Sequence, residues 1–455
     1  MSSQHYHCPW MLGADGWHRD VIMTVSSAGM IESLDNQPED SVQRLPGSVI
    51  PGMPNVHSHA HQRLIAGLTG RRGVGEDSFW SWREQMYRVI DQLTARDLEL
   101  VATWLYLELL EGGYTCTGEF HYPHRLADCD PLETSQALLA AAGQAGCGLT
   151  LLPVWYRYSG FGRKSPTDEQ QPFILGQHAF RELIGDLRDR IEPDGLYRIG
   201  IAPHSLRAVD VADLTELVSD IPDVPVHIHI SEQTAEVEAC LASTGKRPIE
   251  LLADHVELDD RWCLIHATHA SDDEMAIMAG SDAVVGLCPT TEADLGDGIF
   301  PTDRLLETGG RMAIGSDSNL ITRAAAELQL LEWTARLTRH QRNVLVGEQG
   351  GHIGRRLWTL AAAGGGQALG QPVGALKSGR RADFVVLDDR HPLLNGLSPD
   401  QQLDTLVTMA APGLIDEVYV AGKCQVRHGK HHLHDRLAEP FAELRARLMR
   451  SDNRT

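Results

Sequence analysis

Three histidines at every second position are the first residues in this sequence that could bind a metal or take part in catalysis. His57, His59 and His61 occupy every second position of "PNVHSHAHQR". Alternate side chains of an extended strand share one face, so two imidazoles at this spacing can reach one ion. The chain should be leaving the strand by His61, so we expect a packing role for that residue. Its neighbour Gln62 is the better candidate for a substrate contact.

Further ligand types occur at the ends of later apolar runs: His229 with Glu232 three residues on, then His266 and Asp317. A lone strand histidine is more often a core residue, but the joint pattern favours a divalent metal, most simply zinc, with iron or manganese also tolerated. Zinc lowers the pKa of a bound water toward roughly 7. Asp317 could accept the proton of that water, and Glu232 could carry a proton to the leaving group. A surface carboxylate is the plainer alternative for Glu232.

Two arginines lie in segments that follow strands. Arg83 is found in "DSFWSWREQMYR" and Arg207 in "APHSLRAV". A guanidinium fork pairs well with a carboxylate. Surface arginines are common, but two such forks in one pocket would suit a substrate that bears two carboxylates.

The elements that must position these residues alternate between short apolar runs and amphipathic helical segments. Thr94 and Asp97 can cap one helix, which ends near Gly112, and Asp130–Pro131 opens the next. Strands that are apolar throughout and separated by helices indicate a parallel sheet covered by helices, and eight such units fit a (β/α)8 barrel. A doubly wound open sheet is the rival, but no Gly-rich phosphate loop follows the first strand. The predicted strands are 48–59, 115–122, 148–156, 197–205, 225–232, 262–268, 282–289 and 311–318.

The flanks of the chain differ from its middle. Short β runs with turns predict a small β-sandwich domain formed jointly by residues 1–49 and 370–455, with the barrel over 50–369. Residues 437–450 predict a helix, which would dock on the chain or take part in an oligomer contact. The polar stretch 158–171 is either a mobile lid or an ordinary long loop.

The composition of the chain limits the kinds of molecule that the protein could bind. The formal net charge of −22 argues against a nucleic-acid or anionic-membrane partner. No apolar run approaches the roughly 18–20 residues that span a bilayer. The eight scattered cysteines include no C-x-x-C pair, and the first residues predict neither a signal nor a transit peptide. We therefore expect a cytoplasmic protein with reduced thiols and a small-molecule substrate.

At this point the sequence resembles a known family. The H-x-H pair, His229 with Glu232, His266 and Asp317 resemble the amidohydrolase superfamily in its deaminase branch. "DSFWSWREQMYR", "EFHYPH", "APHSLRAV", "HIHISEQ", "LIHATH", "CPTTEADLGDGIF" and "GSDSN" narrow the resemblance to the N-formimidoyl-L-glutamate deiminase family, along nearly the whole chain.

The resemblance implies a distorted barrel with a small β domain, one zinc ion and commonly a homodimer. It implies that Glu232 is the proton shuttle and that His266 orients the attacked centre. The substrate would be a dicarboxylate amidine, hydrolysed to N-formyl-L-glutamate and ammonia in histidine degradation. Implied metal ligands are His57, His59, His229 and Asp317; implied substrate contacts are Gln62, Arg83, Tyr122, His204 and Arg207. One departure is visible, since the family often has Phe where this chain has His61.

Three alternatives remain. A related deaminase acting on a purine, S-adenosylhomocysteine or a triazine would want a stacking surface rather than paired arginines. A two-metal hydrolase usually needs a carboxylated lysine at a strand end, and residues 197–205 contain no lysine. An inert metal-holding protein would be expected to lack Glu232 or Asp317, and both are present.

Overall fold

The computed structural model describes residues 3–35, 42–68, 86–127, 129–192 and 195–450. Arg83 therefore lies outside the described residues. Eighteen strands occur in the described part: β1 Gln4–Gly13, β2 Gly16–Val25, β3 Ile31–Asp35, β4 Gln43–Arg44, β5 Val49–Pro51, β6 Met53–Ser58, β7 Tyr114–His121, β8 Gly148–Trp155, β9 Tyr197–Ile199, β10 Ala202–Pro203, β11 Val226–Ile230, β12 Trp262–His266, β13 Val284–Leu287, β14 Arg311–Ile314, β15 Phe384–Leu387, β16 Ile415–Val420, β17 Lys423–Arg427 and β18 Lys430–His431.

Helices separate most of the central strands. They are α1 Ala95–Glu111, α2 Pro131–Ala145, α3 Gln177–Arg188, α4 Val211–Asp220, α5 Thr234–Thr244, α6 Pro248–Ala253, α7 Asp272–Gly280, α8 Pro289–Leu295, α9 Thr302–Glu307, α10 Ala324–Arg339, α11 Ile353–Ala368, α12 Pro399–Met409 and α13 His434–Arg450. Short 3-10 turns cover Ala60–Leu64, Asp168–Phe173 and Val344–Val346. Both predicted helix starts are confirmed: Thr94 and Asp130 each form a capping box, before α1 and α2 respectively.

The central strands form the predicted barrel. β6, β7, β8 and the pair β9–β10 are parallel neighbours, and so are β11, β12, β13 and β14. Two parallel bridges join these halves into a ring, Ile201 to Val226 and Ser58 to Asp317. The carboxyl ends of all eight strands therefore meet at one face, where barrel enzymes place their active sites.

Two predicted strands are interrupted. The run 48–59 is divided at Gly52 into β5, which joins another sheet, and β6 of the barrel. A Cβ on Gly52 would lie 2.4 Å from Thr115 Cγ2, and one on Gly200 would lie 2.6 Å from Leu152 Cδ2. Gly200 follows β9 and divides the run 197–205 in the same way. Close approach of neighbouring strands thus requires glycine at both breaks.

The flanking segments assemble into a second sheet of nine strands, β1–β5 with β15–β18. Tyr6 from the first segment packs edge-on against Phe384 and Tyr419 from the last, with ring centroids 5.5 Å apart in both pairs. These sheets confirm the α/β class: a distorted barrel plus a β-rich part formed by both ends of the chain. The domain boundaries at 49/50 and 369/370 stay a prediction.

The C-terminal helix begins three residues earlier than predicted and docks on the barrel. Phe441 of α13 stacks on Trp104 of α1 at 5.2 Å between ring centroids, and Arg447 pairs with Asp97 at 2.6 Å. Among the described residues, no helix is long and apolar enough to cross a membrane.

Candidate active site

Three imidazoles and one carboxylate converge at the carboxyl face of the barrel. His57 Nε2 lies 3.0 Å from His229 Nε2 and 3.5 Å from Asp317 Oδ1. His59 Nε2 lies 3.3 Å from the same Asp317 oxygen. All four residues are buried. Two groups of three possible ligand atoms share His57: one adds His59 and Asp317, and the other adds His229 and His266.

Strand ends and backbone hydrogen bonds fix these groups in place. His57 lies in β6, His59 directly after it, and His229 lies in β11. The Asp317 N–H donates to the His57 carbonyl at 2.9 Å, and the His59 N–H donates to the Asp317 carbonyl at 3.1 Å. Asp317 has a φ of +47° and His266 one of +70°. Left-handed backbone is unfavourable for such residues, and strain of this kind is concentrated at functional sites.

The arrangement fits a divalent metal ion. His59 Nδ1 lies 2.9 Å from the Phe120 carbonyl, and His229 Nδ1 lies 3.2 Å from the His204 carbonyl. A proton held on Nδ1 by a carbonyl leaves the Nε2 lone pair free for a metal. Tetrahedral zinc with bonds of about 2.0–2.1 Å separates its ligand atoms by roughly 3.3–3.4 Å. The 3.3 and 3.5 Å distances within the group of His57, His59 and Asp317 match this spacing, and His229 adjoins that group through His57 at 3.0 Å.

The charges at this centre also suit a cation. Burial, followed by the nearby His59, lowers the pKa of His57 to about 3, and burial keeps the pKa of His229 well below its ordinary value. Burial alone would raise the pKa of Asp317, but the adjacent His57 and His59 hold it well below its usual range. The two imidazoles are thus neutral and the carboxyl is ionised, which are the forms that bind metal.

His266 and Glu232 lie beside this centre. His266 Nε2 is 3.7 Å from Asp317 Oδ2 and 3.9 Å from Glu232 Oε1. Burial opposes the charging of His266, but Glu232, Glu292 and Asp317 outweigh it and raise its pKa to about 10. Burial, with Asp317 adding to it, raises the pKa of Glu232. A carboxyl whose pKa is raised in this way is a candidate for proton transfer.

Two acidic residues near His266 were not among the predicted site residues. Glu292 Oε1 lies 3.2 Å from His266 Nδ1 and accepts from the Cys288 N–H at 2.9 Å. Asp297 accepts a hydrogen bond from Gln233, next to Glu232, and burial followed by Glu232 raises its pKa to about 8. Both belong to "CPTTEADLGDGIF", whose density of polar residues after an apolar run was the available signal.

A cavity opens over the centre and contains most of the predicted substrate contacts. Gln62, Tyr122, His204 and Arg207 line it together with His59, His229, Glu232, His266 and Asp317. The Nε of Arg207 is buried and makes no hydrogen bond within the described part of the chain. His61 does not line the cavity but lies behind Tyr122, with its ring centroid 5.0 Å from that of the phenol.

Apart from Thr291, hydrophobic side chains make up the rest of the cavity wall. They are Met86, Tyr87, Tyr156, Phe173 and Leu295. Phe173 ends the 3-10 turn Asp168–Phe173, which overlaps the end of the predicted lid segment 158–171. That segment therefore adjoins the cavity, and its movement stays a prediction. None of these residues carries a distinctive spacing, so sequence reasoning had no means of selecting them.

Comparison with known proteins agrees with the fold. Residues 48–424 match the amidohydrolase family, and the chain belongs to that family. The formimidoylglutamate deiminase of Pseudomonas aeruginosa is 45% identical over 441 residues, which cover 96% of this chain and 97% of that protein. A crystal structure of an amidohydrolase from Brucella melitensis aligns with a TM-score of 0.92 at 41% identity, covering 99% of this chain and all of that one.

A more distant structure shares the fold. An adenosine deaminase from Xanthomonas campestris, solved with bound zinc, has a TM-score of 0.81 at 21% identity, and the alignment covers 98% of this chain and 99% of that one.

Proposed function

We propose that this protein hydrolyses N-formimidoyl-L-glutamate to N-formyl-L-glutamate and ammonia, as a step of histidine degradation. The substrate assignment rests on the 45% identity to the Pseudomonas aeruginosa formimidoylglutamate deiminase over nearly the full length of both chains. The reaction class rests on the buried histidines and carboxylates that open to a cavity. In the overall reaction, water adds to the amidine carbon, the terminal C–N bond breaks, and the nitrogen leaves as ammonia.

The proposed metal ligands are His57, His59, His229 and Asp317, and the proposed ion is zinc. Support comes from the ligand spacing, from the Nδ1 contacts that free His59 and His229 for coordination, and from the zinc bound by the distant Xanthomonas structure. Such an ion supplies Lewis acidity, which polarises the amidine and makes an attacking water more acidic.

The protein groups would then move the protons. Asp317 would accept a proton from the attacking water; its Oδ1 lies near His57 and His59, and its Oδ2 lies 3.7 Å from His266 Nε2. Glu232 would deliver a proton to the leaving nitrogen, since its raised pKa lets it exist in the protonated form. His266, held by Glu292, would donate a hydrogen bond to the developing tetrahedral centre.

Recognition of the substrate would depend on charge. Arg207 presents a buried Nε without a hydrogen-bond partner in the described residues, and it suits one carboxylate. Tyr122, Gln62 and His204 line the same cavity and would add hydrogen bonds. Arg83 is proposed for the second carboxylate on the resemblance of its segment alone.

Two further proposals concern the setting of the enzyme. All eight cysteines are unpaired in the structure, which supports a reducing compartment, the cytoplasm. A homodimer is proposed from the family resemblance. The net charge of −22 supports a small molecule, rather than nucleic acid or an anionic membrane, as the partner.

The alternative is a deaminase of the same family that acts on a purine, S-adenosylhomocysteine or a triazine. The described cavity wall does contain aromatic rings, Tyr87, Tyr156 and Phe173 among them. The greater identity to the formimidoylglutamate deiminase, 45% against 21% for the adenosine deaminase structure, favours the proposed reaction.

Steady-state kinetics of the zinc-loaded protein test this proposal. We expect ammonia and formylglutamate in equal amounts from N-formimidoyl-L-glutamate. Glu232→Gln should retain zinc and reduce kcat about 10²–10⁴-fold, the range for a lost proton-transfer group. Glu238→Gln, an exposed change on the adjoining α5, is the matched control and should leave kcat unchanged.

Three results would contradict parts of the proposal. Turnover of adenosine or a triazine, but not of N-formimidoyl-L-glutamate, would refute the substrate and leave the family unaffected. Loss of zinc in Glu232→Gln would make Glu232 a ligand. Full activity of that variant would remove Glu232 from the reaction.

A further inference from the structure

The hydroxyl of Tyr122 is the centre of a small buried network at the cavity wall. Gln62 Nε2 donates to this hydroxyl at 2.7 Å, and His61 Nε2 lies 3.2 Å from it. The hydroxyl in turn lies 2.8 Å from Met86 Sδ. Gln62, Met86 and Tyr122 line the cavity, while His61 makes its contact from behind. Every member is at most 5% exposed, and Gln62 Oε1 is the one buried acceptor of the network without a partner in the described part of the chain.

The Tyr122 hydroxyl can donate in only one of its three contacts. A phenol has one proton to donate and two lone pairs to accept with. The Tyr122 hydroxyl donates to Met86 Sδ, so its one proton points to Met86. Gln62 fills one lone pair of the hydroxyl oxygen. The contact from His61 is therefore a hydrogen bond only if His61 Nε2 carries a proton and donates it to the second lone pair.

His61 is buried and meets the phenol through its ring nitrogen Nε2. The ring plane stands at 88° to the phenol ring, so the edge of the imidazole, not its face, is directed at Tyr122. An apolar ring at position 61 could fill this space but would leave a buried lone pair of the phenol without a donor.

We propose that His61 is a positioning residue for substrate recognition, which donates from Nε2 to Tyr122 and so leaves the phenol proton available to a carboxylate of the substrate. A thioether is a weak acceptor and a carboxylate a strong one. When substrate binds, the proton turns from Met86 to the carboxylate, while Gln62 and His61 keep the oxygen in place. The inference rests on the proposed function. It adds a hydrogen bond from His61 that orients Tyr122 toward the substrate.

A double-mutant cycle with kinetics on N-formimidoyl-L-glutamate tests the inference. His61→Phe should raise KM about three- to tenfold, the value of one buried hydrogen bond, with kcat nearly unchanged. His61→Gln, whose amide nitrogen reaches a similar position, should restore KM to near that of the unaltered protein. In a Tyr122→Phe background, the change at His61 should have little further effect on KM. If His61→Phe fails to fold, His61→Asn, whose amide is too short to reach the phenol, replaces it.

Each outcome decides the matter. An equal rise in KM in both backgrounds would show a packing role for His61 and overturn the inference. Failure of His61→Gln to restore KM, or no rise in KM with His61→Phe, would overturn it as well. Absence of turnover by the unaltered enzyme is a separate result, which refutes the proposed function and the inference with it.

Discussion

At the scale of the residue, three histidines of equal spacing have three different surroundings. His57 and His59 contribute Nε2 atoms to the centre, and His61 contacts Tyr122 instead. The spacing predicted that His57 and His59 share a face. In the structure β6 ends at Ser58, His59 directly follows it, and His61 lies in the 3-10 turn Ala60–Leu64. A hydrogen-bonding role for His61 could not be predicted, because its partner comes from β7 and the segment after it.

The contribution of Glu292 to the orientation of His266 can be measured directly through kcat. Its carboxylate contacts His266 Nδ1 at 3.2 Å and sits among buried groups. Glu292→Gln removes the charge that holds this imidazole, so we expect kcat to fall about 10–100-fold, the cost typical of losing a group that orients a metal-site histidine. Asp294→Asn, an exposed change on the same α8, serves as the control.

Zinc content and kcat should be measured together for both variants. Unchanged kcat in Glu292→Gln would show that His266 needs no support from this carboxylate. The segment that contains Glu292 is distinctive in the sequence, but Glu292 itself could not be selected. Which carboxylates of α8 turn inward depends on how that helix packs against the barrel.

At the scale of the element, periodicity predicted the strands and the capped helices well. The breaks at Gly52 and Gly200 were not predicted, since their cause is contact with Thr115 and Leu152 on other strands. The C-terminal helix was predicted without its docking site. Helix α13 contacts the segment after the first barrel strand through Arg445. This side chain donates to the carbonyls of Leu64 at 3.0 Å and Ala66 at 2.7 Å. These carbonyls end the turn that carries His61 and Gln62.

Arg445 should therefore stabilise the turn after the first barrel strand. Arg445→Ala removes two charge-assisted hydrogen bonds, so we expect the free energy of unfolding to fall by about 1.5–3 kcal/mol. Arg450→Ala is the matched control, because its side chain bonds only to Ala446 of the same helix. Urea denaturation of both variants measures the difference. Equal stability of the two would mean that α13 is held by Phe441 and its apolar neighbours alone.

At the scale of the whole molecule, buried carboxyls make stability depend on pH. Glu327 of α10 accepts two hydrogen bonds from Thr290, yet burial dominates and raises its pKa to about 8. The folded state thus prefers the protonated form. This contribution to stability is fully present below the ordinary pKa of about 4.5 and is lost as pH rises through about 8.

Glu327→Gln should flatten the fall in Tm between pH 5 and pH 9. The amide keeps the shape of the protonated acid but cannot ionise. Calorimetry of the zinc-loaded protein at several pH values measures the effect, with the exposed Glu307→Gln as the control. A slope equal to that of the unaltered protein would show that Glu327 does not titrate in this range.

The bridge between Ser58 and Asp317 joins the first barrel strand to the segment after the last. The His59 carbonyl and Asn319 Nδ2 meet there at 3.0 Å although 260 residues separate them. Closing so long a loop of chain is slow and costs conformational entropy. A nascent chain that has not yet emerged beyond Asp317 possesses three of the proposed ligands and no ring to hold them together. Acquisition of the ion would therefore mark the completion of barrel assembly, and release of the ion would be an early sign that the ring has opened.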